Sequence, residues 1–176
     1  GITFDALVET SKEARAAVYL TLRLVSRLYP TLVISGLPGT KPGYVARLRS
    51  LARAINPRVE FEDDLKTSTK LLVIGNTRVT VPAKAKRHTW YVGSDNWVAR
   101  LSQAGPVGSG VSLNPLGAGT AACIAAANVF RAVFVSDLGE AAFDSEVSTS
   151  ILDMRPANSE VKNPLLATVK LTDVHL

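Results

Sequence analysis

One cysteine, Cys123, among 176 residues leaves nothing for an internal disulfide and nothing for a cysteine-rich metal centre. Histidine is almost as scarce. His88 and His175 stand alone, without metal-ligand spacing, so neither a metal site nor a Ser/His/Asp constellation is drawn from them. Aromatic residues make up 6% of the chain and do not interleave with the basic ones, which argues against a stacking platform for single-stranded nucleic acid. No apolar run reaches the roughly 18 residues of a membrane span, and no charged leader with a cleavage site opens the chain. The expectation is a reducing, cytoplasmic setting, with neither nucleic acid nor membrane as partner.

Hydrophobic residues amount to 47% and charged ones to 20%, the balance of a globular chain with one good core. The net charge of +5 is unevenly placed: residues 1–106 hold 16 Lys and Arg against 8 Asp and Glu, residues 107–176 hold 4 against 7. Much of that basic charge is read as solvated helix faces. The chain starts on glycine and ends on the strand-like TDVHL, so it is read as a piece of a longer protein, with a domain over 1–155 and a linker and strand over 156–176.

Thr10 and Glu13 have the spacing of a capping box, and the following EARAAVYLTLRLVSRLY puts Ala17, Leu20, Leu24, Val25 and Leu28 on one helical face. Pro30 stops that helix before TLVIS, a short run of buried-strand type. After GLPGTKPG, Pro42 opens a second helix that ends before Pro57; RVEFE and KLLVIG then read as strands. Beyond Gly75 the pieces TRVTV, TWYVG and WVARLS are strand-like, and SQAGPVGSGVSLNPL is loop. A long alanine-rich helix, NPLGAGTAACIAAANVFRAVF, follows. The rhythm predicts an α/β fold: a Rossmann-like open sheet in three layers, with mixed strands after residue 75.

Three patterns are candidates for binding a cofactor. Gly117-x-Gly119-x-x-Ala122 opens a helix as a dinucleotide fingerprint does, with Asp137 downstream for a ribose, although the same glycines also suit close helix packing. Gly36, Gly39, Thr40 and Lys41 follow the first strand, where backbone amides, a hydroxyl and an ammonium suit a phosphate as well as a tight turn. Asp95 and Arg100 lie in DNWVAR, where a carboxylate suits a metal ion and a guanidinium a phosphate. Cys123 near the start of the alanine-rich helix is either an activated thiol or a small buried side chain.

Three segments together resemble the ThiF/MoeB/HesA family, bacterial relatives of ubiquitin-activating (E1) enzymes: ARLRSLARAINPRVEFE, the Asp95-Asn96-Trp97-x-x-Arg100 element and LNPLGAGTAACIAAANVFRAVF. They span about half the chain. The family's G-x-G-x-x-G does not follow the first strand here, and Asn76 stands where its catalytic aspartate belongs. The resemblance therefore implies a non-catalytic half of an ATP-dependent adenylyltransferase, with no catalytic residues of its own. Such a half would pair with an adenylating domain or a homodimer partner and help to bind a ubiquitin-like or sulfur-carrier protein. No cofactor is expected in this piece, ATP and magnesium belonging to the full-length protein. Two alternatives stay open: a nucleotide- or dinucleotide-binding enzyme using the Gly117/Gly119 loop, and a dimerisation module using the alanine face.

Overall fold

In the computed structural model, which describes residues 1–138, 143–152 and 154–157, seven strands form one sheet. They are β1 (Ile2–Phe4), β2 (Thr31–Gly36), β3 (Glu60–Glu62), β4 (Leu71–Ile74), β5 (Thr89–Asp95), β6 (Val98–Ser102) and β7 (Glu146–Ser150). Their order is β3-β2-β1-β4-β5-β6-β7. The first five run parallel, while β6 and β7 are antiparallel additions at one edge. Among the described residues five helices accompany them: α1 (Leu7–Thr10), α2 (Lys12–Leu28), α3 (Pro42–Ile55), α4 (Leu116–Val133) and α5 (Val135–Leu138). This is the Rossmann-like α/β architecture expected, with mixed strands in its second half.

The buried strands show why two layers are needed. Leu72 and Ile74 of β4 face a cluster that takes in Val18, Leu22, Leu48 and Ala125 of α2, α3 and α4. Leu71 and Val73, one step out of phase, face Tyr91, Ala85, Val79 and Val81 on the other side. A strand with both faces covered reads as a continuous apolar run, which is what KLLVIG is. The second face is covered by short 3₁₀ turns at Leu65–Thr67 and Ala83–Ala85 and by the chain after Gly75, rather than by long helices.

Several local expectations change. TRVTV is not a strand, because both edges of β4 are already paired with β1 and β5; its valines pack on the sheet's second face instead. The α2 N-cap is Ser11, whose hydroxyl accepts from the Ala14 amide at 3.0 Å, and Thr10 ends α1. Glu13 turns inward rather than back onto the helix end. Leu20 and Leu28, expected inside, are exposed, while Ala14, Val18, Thr21 and Leu22 are buried, because α2 packs between α3 and α4 and its inward stripe is rotated accordingly. The terminal LLATVKLTDVHL lies outside the described residues.

Candidate functional site

Open α/β sheets bind ligands at the carboxyl ends of the strands, where neighbouring strands lead off in opposite directions. Here that point lies between β1 and β4, and it is filled by Asp5. One carboxylate oxygen accepts from the amides of Asn76 (2.7 Å) and Thr77 (3.0 Å) and from the Thr77 hydroxyl (2.8 Å). The other accepts from the Leu7 amide at 3.0 Å. Gly75 has φ +121°, and a Cβ there would collide with the same carboxylate. The donors that would otherwise meet a phosphate are thus spent on a side chain of the protein.

A second carboxylate works beside it. Glu13 is fully buried and joins three distant segments: its oxygens accept from the Ser94 hydroxyl (2.6 Å) and the Asn96 amide (3.0 Å) at the end of β5, and from the Ser112 amide (3.0 Å). Ser11 donates its hydroxyl to the Gly110 carbonyl at 2.7 Å, so the 108–112 loop lies across the first turn of α2. Asn114, also fully buried, donates to the Asn96 side-chain oxygen at 2.9 Å and accepts from the Leu116 amide at 3.0 Å. The β5–β6 turn, this loop and the start of α4 form one hydrogen-bonded unit.

The residues picked out from sequence fall in two places. Gly117 is buried at the start of α4, with its amide on the Asn96 carbonyl at 3.2 Å; a Cβ there would lie 2.6 Å from that carbonyl oxygen and 2.8 Å from that of Val98. Gly119 donates to the Pro115 carbonyl and sits against Leu20. Asp95 and Arg100 pair with one another across the β5–β6 hairpin at 3.1 Å, both side chains well exposed. Gly36, Gly39 and Thr40 shape the turn between β2 and α3, Gly39 with φ +95°. Lys41 alone of that group reaches charge, pairing with Glu9 at 2.9 Å. The sheet order keeps the β2 turn well away from the β5–β6 turn, whereas the start of α4 at Gly117 and the Asp95–Arg100 hairpin adjoin at the Asn96 carbonyl.

One face of α4 has a different character. Its inward positions are small: Ala118, Ala121, Ala122, Ala125 and Ala132 are buried against α2 and the sheet. Its outward positions are where an amphipathic helix usually carries polar side chains. They hold Leu116, Cys123, Phe130 and Phe134 instead, all exposed, and Val135 and Leu138 of α5 continue the apolar surface. Phe130 and Phe134 lie with ring centroids 4.6 Å apart. Cys123 is therefore not the small buried side chain that its alanine neighbours suggested. By length and composition α4 could cross a membrane, yet half of it is buried within this fold.

Residues 3–135 match the family described as Prokaryotic E2 family C. The chain belongs to that family. The protein y4jF of Sinorhizobium fredii (strain NBRC 101917 / NGR234) is 36% identical over 175 residues, which is 99% of this chain and 33% of y4jF. The chain thus spans about a third of the length of that relative. Membership of an E2-type family corrects the ThiF/MoeB/HesA resemblance, and with it the roles as a half of an adenylyltransferase, as a dinucleotide enzyme and as an alanine-face dimerisation module. The geometry agrees in detail. The Asp95-Asn96-Trp97-x-x-Arg100 element is a hairpin whose charged ends pair with each other, and the alanine face is already covered by the domain's own core.

Asp5 and Glu13, the two carboxylates that organise the carboxyl end of the sheet, were not visible as such from sequence. The only available signal was an acid directly after a short apolar run, ITFD, and an acid three residues after Thr10, which local rules read as a capping box.

Proposed function

We propose that this domain is a protein-binding part of an E2-type conjugation protein, presenting the exposed face of α4 and α5 to a ubiquitin-like protein. The observation that carries the reading is the inverted helix: large apolar side chains at Leu116, Phe130 and Phe134 face outward while alanines fill the inside. Scattered exposed leucines are ordinary, but an apolar ridge that ends in adjoining phenylalanines and exposed Val133, Val135 and Leu138 is characteristic of an interaction surface. Membership of an E2-type family supplies the class of partner.

Cys123 favours a second reading, because it lies in the middle of that ridge and is exposed. In E2-type transfer the thiolate would attack the thioester carbonyl of a donor, forming a new Sγ–C bond while the donor sulfur leaves and is protonated. Cys123 has no hydrogen-bond or ionic partner among the described residues, so activation of the thiol would fall to the donor protein. The binding reading needs no such help and is the one adopted.

NMR titration of the chain with a bacterial ubiquitin-like protein tests both. Binding should shift the amides of α4 and α5 and vanish in Phe130→Asp and Phe134→Asp; shifts confined elsewhere would sink the proposal. A thiol-sensitive covalent adduct that is lost in Cys123→Ser would select the second reading over the first.

A further inference from the structure

A cleft of about 270 Å³ opens between α1, α2 and α3, lined by Glu9, Arg15, Tyr19, Lys41, Tyr44 and Arg47. It is on a different set of helices from the α4 ridge and does not depend on the reading above. Three cations and one carboxylate leave it with a surplus of two positive charges. The carboxylate is already engaged: Glu9 accepts from the Lys41 amide at 2.6 Å and pairs with its ammonium at 2.9 Å. Arg15 is oriented by the protein itself, donating from Nε to the Val8 carbonyl at 3.2 Å and from Nη2 to that of Glu9. Its remaining nitrogen, Nη1, meets no acceptor among the described residues. The Arg47 guanidinium lies 5.5 Å from the centre of the Tyr44 ring.

Tyr44 is the second, independent sign of a ligand. Tyr44 is 4% exposed and its ring packs edge-on against Phe4 (5.5 Å) and Tyr19 (6.4 Å), yet its buried hydroxyl has no hydrogen-bond partner among the described residues. Folded proteins leave very few buried hydroxyls unpaired, because each forfeits its water without recompense. Burial pushes the phenol up to about 12, and Tyr19, Arg15, Arg47 and Glu9 are the charged and titratable groups that act on it. The hydroxyl therefore stays a neutral donor, with the cleft residues around it.

We infer that this cleft receives a side-chain carboxylate of an acidic peptide segment, held by Arg15 and Arg47 with the Tyr44 hydroxyl donating to it. Guanidinium forks match the planar carboxylate. The same surplus of positive charge attracts a phosphate, so preference for a carboxylate rests on the match of its plane to the two guanidinium groups, and inorganic phosphate is the competing anion to measure. The partly exposed Tyr19 ring provides an apolar wall for the peptide.

The test is a calorimetric titration of the 176-residue chain with an end-blocked hexapeptide of Asp and Glu, with inorganic phosphate in a parallel arm. Saturable peptide binding is expected, weakened at least about fivefold in Arg47→Gln and in Arg15→Gln by loss of a charge-assisted pair. Tyr44→Phe should weaken it at least about threefold, a share of one hydrogen bond. Glu9→Gln should tighten it, because Lys41 is released for the ligand. Arg47 is exposed and makes no hydrogen bond or ion pair among the described residues, so its variant remains informative even where Arg15→Gln fails to fold. No saturable binding of the peptide, phosphate binding as tight as the peptide, or affinities unchanged in Arg47→Gln and Tyr44→Phe would each overturn the assignment.

Discussion

Replacing Glu13 with alanine separates two accounts of one residue. As a helix-end cap alone, its loss should cost about 1 kcal/mol. The structure makes it the shared acceptor for the Ser94 hydroxyl, the Asn96 amide and the Ser112 amide, the first two in wholly buried bonds. Each buried donor left without a partner costs about 1–3 kcal/mol. Three such losses, discounted for water entering the space vacated by the side chain, give about 4 kcal/mol. For a domain of this size, each kcal/mol moves the midpoint of thermal unfolding by about 2–4 °C, so Glu13→Ala should melt about 8–16 °C lower. Glu13→Gln keeps one acceptor oxygen but points an amide N–H₂ at one of the donors, and should fall about 1–3 kcal/mol below the native chain. Scanning calorimetry gives the midpoints, and amide hydrogen exchange at Asn96 and Ser112 gives the location of the damage. A Glu13→Ala midpoint within about 4 °C of the native one would return the residue to a capping role and refute the network as a source of stability.

Gly117→Ala should lower the urea midpoint by the equivalent of about 1–3 kcal/mol, since the added methyl meets two backbone carbonyl oxygens that cannot rotate away. Tyr44→Phe should raise stability in the absence of ligand by about 1 kcal/mol, measured by the same denaturation, because it removes a buried hydroxyl that has no partner among the described residues. Phe130→Asp should lower the midpoint by the equivalent of about 1–2 kcal/mol, through loss of the Phe134 ring contact and an anion in the last turn of α4, while abolishing partner binding. Burial holds the His88 imidazole below its ordinary value, with Lys70 and Arg87 adding to the effect. The unfolded chain therefore takes up this proton first, and stability should fall as the pH drops through about 6.5 and level off below the folded value. His88→Gln should flatten that part of a pH-dependent melting series.

The open sheet was legible because its evidence is periodic and local. Pro30, Pro42 and Pro57 punctuate the first half, TLVIS and KLLVIG are apolar runs of strand length, and the alanine-rich helix declares itself by composition. What stayed hidden was long-range. Glu13 lies 81 residues from Ser94 and 99 from Ser112, and nothing in SKEARAA distinguishes a cap from a buried acceptor. The outward face of α4 was hidden for a related reason: alanine and phenylalanine are both apolar, so the sequence pattern does not say which of them faces the core. Glycines misled in the opposite direction. Gly117 fits a nucleotide fingerprint and a close helix contact equally well, and only the position of the Asn96 and Val98 carbonyls tells which geometry it serves.

The carboxylate of Asp5 has a kinetic and thermodynamic meaning beyond its four hydrogen bonds. It is covalently tethered to the strand that leads into the crevice, so it competes with any dissolved anion at a very high effective concentration, as an intramolecular group does. A nucleotide phosphate arriving there would have to displace a rival that never diffuses away. The sheet has the architecture of a binding crevice whose amide donors are engaged by a carboxylate of the chain itself.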